Sequence, residues 1–323
     1  MPRHLSGIQP SGLPHLGNYF GAIAQHVEVS KAADPAAKDA LFFIADYHAL
    51  TSLHDKAALE ENVRSVAATY LALGLDTERA VFFRQSDIPE VTELMWLLMT
   101  VTGMGLLERA HSYKDKTARG LHPNVGLFTY PVLMAADIVI YDSEVVPVGH
   151  DQIQHVEMTQ DMVTHFNTAF GGEHLKRPQW QLSKTYNNAI WIFDEGKALK
   201  KSVNAIVTDS RPPEEPKDPD GVNAFALLDL FLDEAERADW RARIQKGGVG
   251  YGHLKGALIE KMDARFGAAR GTYQELMKSE AGKQRLEETL ARGAAQARPL
   301  AQATLARCFE AVGMGNAARR LGR

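Results

Sequence analysis

Ala40-Leu41-Phe42-Phe43-Ile44-Ala45, followed at once by Asp46-Tyr47-His48, decides the fold. The run is short and apolar, which predicts a buried strand, and it ends abruptly in polar residues. A helical pattern follows from about Lys56 to Leu73, then a second apolar run at Ala80-Val81-Phe82-Phe83-Arg84, then a helix from about Glu90 to Thr102. Strand alternating with helix predicts an α/β fold with a doubly wound parallel sheet. Working backward, His4-Leu5 is a short candidate strand, and Ser6 to Pro14 reads as a loop by its Gly, Pro and Ser content. A helix is expected from His15 toward Ser30. In doubly wound sheets ligands sit beyond the carboxyl ends of the strands, where His48 falls here.

A second stretch carries chemistry. Gly126-Leu127-Phe128-Thr129-Tyr130-Pro131-Val132-Leu133-Met134-Ala135-Ala136-Asp137-Ile138 sets one carboxylate in an apolar run. A buried charge is costly, so Asp137 is expected to have a partner. Tyr130, Met134, Asp137 and Tyr141 are spaced 4, 3 and 4 apart. If Pro131 opens a helix, they share a face. A thioether, aromatic rings and one acceptor on a single face suit a flat ring carrying one N–H. A polar cluster, Val148-Gly149-His150-Asp151-Gln152-Ile153-Gln154-His155, follows closely.

The 323 residues are enough for two domains, and a composition of 45% hydrophobic and 24% charged residues is that of an ordinary globular protein. No apolar run reaches the roughly 18 residues of a membrane span, and the start lacks the apolar core of a secretory signal. The single cysteine, Cys308, excludes an internal disulfide framework and a Cys-rich zinc site, and fits a reducing cytoplasm. No histidine has convincing metal spacing. Net charge is −4, which argues against indiscriminate nucleic-acid binding. Yet Trp240 to Arg323 holds 16 of the 36 basic residues and only 7 of the 40 acidic ones. Such a basic stretch on an acidic body can attract a polyanion or be a solvated helical surface. Arg211 to Gly221, rich in Pro and charge, reads as a connector, and the chain from Asn223 onward as helices.

Ser6-Gly7-Ile8-Gln9-Pro10-Ser11-Gly12, followed by His15-Leu16-Gly17-Asn18-Tyr19, resembles the first signature of the tryptophanyl-tRNA synthetases. His15 to Asn18 is similar to the HIGH motif of class I aminoacyl-tRNA synthetases, with Leu and Asn at its second and fourth places. The Tyr130 to Ile138 and Val146 to His155 segments resemble the same family. So do Tyr113-Lys114-Asp115-Lys116, Val207-Thr208-Asp209-Ser210 and Glu215-Pro216-Lys217-Asp218-Pro219. The matches are collinear and span nearly the whole chain. For the family's lysine signature, KMSKS, the best match is Gln181-Leu182-Ser183-Lys184-Thr185. Lys200-Lys201-Ser202 lies too close to Val207-Thr208-Asp209-Ser210 for the family order.

The resemblance implies ATP-dependent activation of L-tryptophan to an adenylate and transfer to tRNA(Trp), by positioning and charge stabilisation without an enzyme nucleophile. It implies that His15, Asn18, Lys114 and Lys184 serve the phosphates, with Mg2+ bridging them. Gly149 and Asp151 would face the ribose, and Gln9, Ser11, Gly17 and Ser183 would line the nucleotide. Asp137 would accept the indole N–H while Met134 packs on the ring. Tyr130, Gln152 and Gln9 would hold the ammonium and carboxylate, with His48 a further contact. A site built on a buried acceptor rejects ligands that lack the donor. No residue set is assigned as a protein metal site. The resemblance also implies a homodimer, a Rossmann-like catalytic domain over 1–185, and a connector with a helical anticodon-binding domain over 186–323. It leaves room for the chain end to rejoin the first domain.

The chain departs from the family pattern at three places. His150 stands where the family has Glu, Gln181 replaces the first lysine of the second signature, and the segment from Thr168 to Trp180 is short. Two alternatives therefore stay open: a weakly active or non-catalytic paralogue that binds tryptophan or tRNA as a regulator, and a class I relative that activates tyrosine or another small acid.

Overall fold

The structure, a computed structural model, describes residues 2–110, 113, 124–183 and 190–321. Contacts divide the chain into two compact units. The first comprises Met1–Leu13, Gly21–Thr185 and Leu276–Arg323, and the second Pro14–Phe20 and Tyr186–Glu275. One junction thus lies between Thr185 and Tyr186, and the chain from Leu276 groups with the sheet.

The first unit is built on five strands: β1 (His4–Ile8), β2 (Ala40–Ile44), β3 (Val81–Arg84), β4 (Val145–Val148) and β5 (Gln179–Leu182). All pair in parallel, in the order β3-β2-β1-β4-β5. This is the expected doubly wound sheet. Its order reverses between β1 and β4, and a crevice for ligands opens at such a switch point. The ladder between these two strands is registered only at His4↔Val145. Further along β4, Pro147 has no N–H to contribute.

β2 is buried along its whole length, as its apolar run predicts. β1 extends through Ser6-Gly7-Ile8, which composition alone marks as loop. These residues stand in register with Phe42, Phe43 and Ile44, and pairing overrides their turn tendency. Gly7 is required there, because a Cβ would lie 2.5 Å from the Phe43 ring. The helices Lys56–Ala72 and Glu90–Met99 end slightly earlier than expected. The helix expected from His15 is broken into Leu16–Asn18, a wider π-type turn over Tyr19–Ile23, and Ala24–Ala32.

Pro131 does not open its helix. The helix runs Val125–Val139 and starts at Asn124, whose side chain accepts the Leu127 N–H at 2.7 Å. An Asn cap satisfies a donor that would otherwise be orphaned, and this outweighs proline's preference for a first helical position. Inside the helix Pro131 removes the bond to the Leu127 carbonyl.

The long Glu280–Ala311 helix lies on β3 and on the Glu90–Met99 helix. It approaches so closely that a Cβ on Gly293 would lie 1.8 Å from the Phe82 carbonyl oxygen. Several basic residues near the end of the chain pair with acidic groups of the sheet unit. Arg298 meets buried Glu90 at 2.7 Å, Arg307 meets Asp142 at 2.7 Å, and Arg320 meets Glu93 at 2.6 Å. Part of the charge asymmetry is thus spent within the fold.

The second unit is helical among its described residues, with Gly196–Asn204, Asn223–Leu228, Glu234–Lys246 and most of Tyr251–Lys278. Its core includes Leu199, Phe225, Leu254 and Phe266. The Pro-rich connector is folded tightly. Lys217 is buried and donates to the carbonyls of Pro212 (2.7 Å) and Glu215 (2.9 Å).

Candidate active site

In the sheet unit the predicted polar residues gather at the carboxyl ends of the strands. Gln9 follows β1, and its side chain donates to the His48 carbonyl at 3.3 Å. Asp46 and His48 lie on the Asp46–Ala49 turn of helix that follows β2. Gly149, Asp151 and Gln152 follow β4, where Gln152 Nε2 donates to Asp151 Oδ2 at 2.9 Å. Gly149 and Gln9 thus begin the two loops at the switch point. Ser11 is exposed beyond Gln9, and Ser183 donates its backbone N–H to the Val148 carbonyl at 2.7 Å.

Asp137 does have the partners that its burial demands. Its side chain is only 3% exposed. His48 Nε2 lies 2.9 Å from Oδ2, and Gln85 Nε2 donates to Oδ1 at 2.8 Å and Oδ2 at 2.9 Å. Burial pushes the carboxyl above the ordinary aspartate range, while the hydrogen bonds from His48 and Gln85 pull the other way. Two carboxylate oxygens offer about four acceptor sites, so Oδ1 keeps capacity for one more donor. Met134 is half-buried on the same helix face. The Tyr130 hydroxyl is hydrogen-bonded to His155 Nε2, and its ring meets the His48 ring edge-on with centroids 6.2 Å apart. This set of groups can hold a flat ring by its one N–H.

Three participants are not singled out from sequence: Gln85, Asp46 and His155. Gln85 follows β3 as Gln9 follows β1, so the rule about carboxyl ends of strands would have found it. Asp46 accepts the backbone N–H of Tyr47 at 3.1 Å and of Ser86 at 3.0 Å, which ties the two turns together.

His15, Gly17 and Asn18 belong to the second unit. His15 caps the short Leu16–Asn18 helix in a reciprocal bond. Its Nδ1 accepts the Asn18 N–H at 3.3 Å, and Asn18 Oδ1 accepts the His15 N–H at 3.0 Å. Burial holds the His15 ring below the ordinary histidine value, so it is neutral near pH 7. With Nδ1 accepting, its hydrogen sits on Nε2. Asn18 likewise spends its oxygen on the cap and keeps its amide hydrogens. Both side chains are therefore set as donors. Lys114 and Lys184 lie outside the described residues.

A sequence profile described as "tRNA synthetases class I (W and Y)" matches residues 1–267, well over half of the chain. The chain belongs to this family. The tryptophan–tRNA ligase of Rhodopirellula baltica is 46% identical over 326 residues, covering 97% of this chain and 99% of that protein. The tryptophan–tRNA ligase of Campylobacter jejuni strain RM1221 is 45% identical over 328 residues, covering 97% and 100%. The crystal structure of the Campylobacter jejuni tryptophanyl-tRNA synthetase complexed with ADP and tryptophan superposes with a TM-score of 0.85 at 44% identity, covering 96% of this chain and 99% of that one. The Mycoplasma pneumoniae tryptophanyl-tRNA synthetase gives 0.81 at 28% identity, covering 99% and 100%. The parallel sheet with its helical companion is the class I synthetase fold.

Proposed function

We propose that this chain is a tryptophan–tRNA ligase. It binds ATP and L-tryptophan, joins them as tryptophanyl-adenylate with release of pyrophosphate, and transfers the tryptophanyl group to tRNA(Trp). The family alone leaves tryptophan and tyrosine open. The observation that carries tryptophan is likeness to tryptophan–tRNA ligases at 46% identity along almost the full length. The buried carboxylate of Asp137, with acceptor capacity left over, supports it, because an indole brings one N–H.

The tryptophan carboxylate attacks the α-phosphorus of ATP and expels pyrophosphate, and the tRNA terminal ribose hydroxyl then attacks the activated carbonyl and expels AMP. The chain supplies orientation and charge stabilisation. His15 and Asn18 donate to phosphate oxygens, with the lysines at 114 and 184 adding positive charge. Asp151, beside Gly149, accepts from ribose hydroxyls. Gln9, Tyr130 and Gln152 hold the amino-acid head group, and Ser11, Gly17 and Ser183 line the nucleotide. Asp137 accepts the indole N–H with Met134 against the ring. His48 serves through its bond to the Asp137 carboxylate.

Magnesium enters with the nucleotide. Among the described residues no cluster of three or more His, Cys, Asp or Glu is placed to hold a metal, and Mg2+ is commonly held by substrate phosphates with few protein ligands. A homodimer is supported by exposed Trp96, Met104 and Val125, on three helices of the sheet unit. The single cysteine, Cys308, has no second cysteine to pair with, which fits a reducing cytoplasm. Among the described residues no helix is long and apolar enough to cross a membrane.

The test is pyrophosphate exchange into ATP with each amino acid in turn, then charging of tRNA. Exchange with tryptophan alone, followed by charging, is expected. Tryptophan binding without exchange would make the chain a regulator, and exchange driven by another amino acid would reassign its substrate.

A further inference from the structure

Asp137 is held by a side chain that is itself held. Gln85 is 1% exposed and stands just beyond β3. Its Oε1 accepts the Tyr47 backbone N–H at 3.0 Å. That bond fixes which end of the carboxamide faces Asp137. Nε2 is turned to the carboxylate and reaches both of its oxygens. The Tyr47 N–H is in turn shared with Asp46 Oδ1, and Asp46 also binds the Ser86 N–H and hydroxyl. The chain of bonds therefore runs from one turn to the next and ends at Asp137.

We propose that Gln85 is the positioning residue for the indole-nitrogen acceptor, and that it sets how strongly the site selects a ring bearing an N–H. This rests on the reading of Asp137 as that acceptor. Gln85 acts in two ways. Its amide spans both oxygens and so stops the carboxylate from turning. Its N–H also favours the ionised form, which must persist for Asp137 to accept rather than donate. The surroundings make that help necessary. The charged and titratable groups facing Asp137 are His48, which donates to it, Asp46, whose charge opposes ionisation, and Tyr141, which is buried beside it with Glu90 beyond. His48 alone would have to offset burial and the Asp46 charge.

Two substitutions at Gln85 should behave differently. Gln85→Met removes the donor and keeps the bulk. Asp137 then holds its proton to higher pH, and a protonated Asp137 no longer requires a donor from the ligand. Gln85→Glu places a second carboxyl against the first. Two carboxylates at this distance cannot both ionise cheaply, so they share one proton as pH falls. The introduced carboxyl, once protonated, then donates to Asp137 much as the Gln85 amide does.

The test uses the full-length chain in pyrophosphate exchange. Tryptophan is compared with β-(benzothiophen-3-yl)alanine, in which sulfur replaces the indole N–H. In Gln85→Met the KM for tryptophan should rise about tenfold to a hundredfold, as expected for loss of a charge-assisted bond, with the KM for ATP little changed. The preference for tryptophan over the sulfur analogue should fall by a similar factor. The two variants should also have opposite pH trends. As pH falls, the KM for tryptophan worsens in Gln85→Met and recovers in Gln85→Glu. An unchanged preference in Gln85→Met, or the same pH trend in both variants, overturns the proposal alone. Absence of tryptophan-dependent exchange in the unmodified chain overturns the functional reading and the proposal together.

Discussion

Replacing Asp137 by Asn keeps the volume of the side chain and removes its charge. The carboxylate accepts from His48 at 2.9 Å and from Gln85 at 2.8 and 2.9 Å, and Gln85 is itself held by the Tyr47 N–H. An Asn side chain has one oxygen, and these donors compete for it. The indole N–H then meets an NH2 group or a weakened neutral acceptor. A hydrogen bond to a charged partner is worth roughly 1.5–3 kcal/mol, and about 1.4 kcal/mol is tenfold in affinity. The KM for tryptophan in pyrophosphate exchange should therefore rise about tenfold to a hundredfold, with little change for ATP. One buried donor is left facing an amide, at a cost of about 1–3 kcal/mol, but the cost of burying a charge disappears. The melting temperature should consequently move by no more than a few degrees, which separates lost recognition from lost fold. A rise in tryptophan KM of less than about threefold is below the worth of a neutral hydrogen bond and would refute the assignment. An equal rise for ATP would do the same.

Acid should weaken tryptophan binding earlier than an exposed aspartate would allow, because burial raises the Asp137 value. In the folded state this group binds its proton more tightly than in the unfolded state. Its contribution to stability therefore falls as pH rises through that window, while tryptophan affinity increases; the KM for tryptophan and the melting temperature should both fall with rising pH across the same range. His15→Ala removes both the cap acceptor and the Nε2 donor, so adenylate formation should slow by about two to three orders of magnitude with tryptophan binding retained. Rapid-quench measurement of adenylate would check this, and an unchanged rate would remove His15 from the phosphate-binding set. Gly293→Ala forces a methyl group to 1.8 Å from the Phe82 carbonyl. Overpacking of this kind costs about 1–3 kcal/mol or more, and should appear as a lower melting temperature in circular dichroism.

The core of the fold was legible because β2 and β3 are apolar runs, and buried parallel strands leave that mark in sequence. β5 is not legible. Its Gln179-Trp180-Gln181-Leu182 alternates polar and apolar over four residues only, too few to mark a strand, and all four are exposed on an edge that exists because β4 offers a partner. The Ser6 to Ile8 strand was hidden for a related reason, since the signal lies in Phe43 rather than in Gly7 itself. Asp137 was visible as a charge among apolar neighbours. Its partner Gln85 comes from a turn 52 positions away, and no local pattern joins the two. His15 and Asn18 were readable as a signature, but the reciprocal cap that decides which of their atoms donate is a matter of local geometry that no residue pattern carries.

The Glu280–Ala311 helix has a consequence for biogenesis. It covers β3, a strand made some two hundred residues earlier, so the nascent sheet must wait on the ribosome with that flank bare. Until the last helices emerge, Phe82 and its neighbours present a greasy edge to the surrounding solvent. A translational stall before Gly293, or loss of the segment that follows, should leave a species that chaperones hold and proteases remove. The helical insert, whose own contacts are complete by Glu275, could by then already be folded.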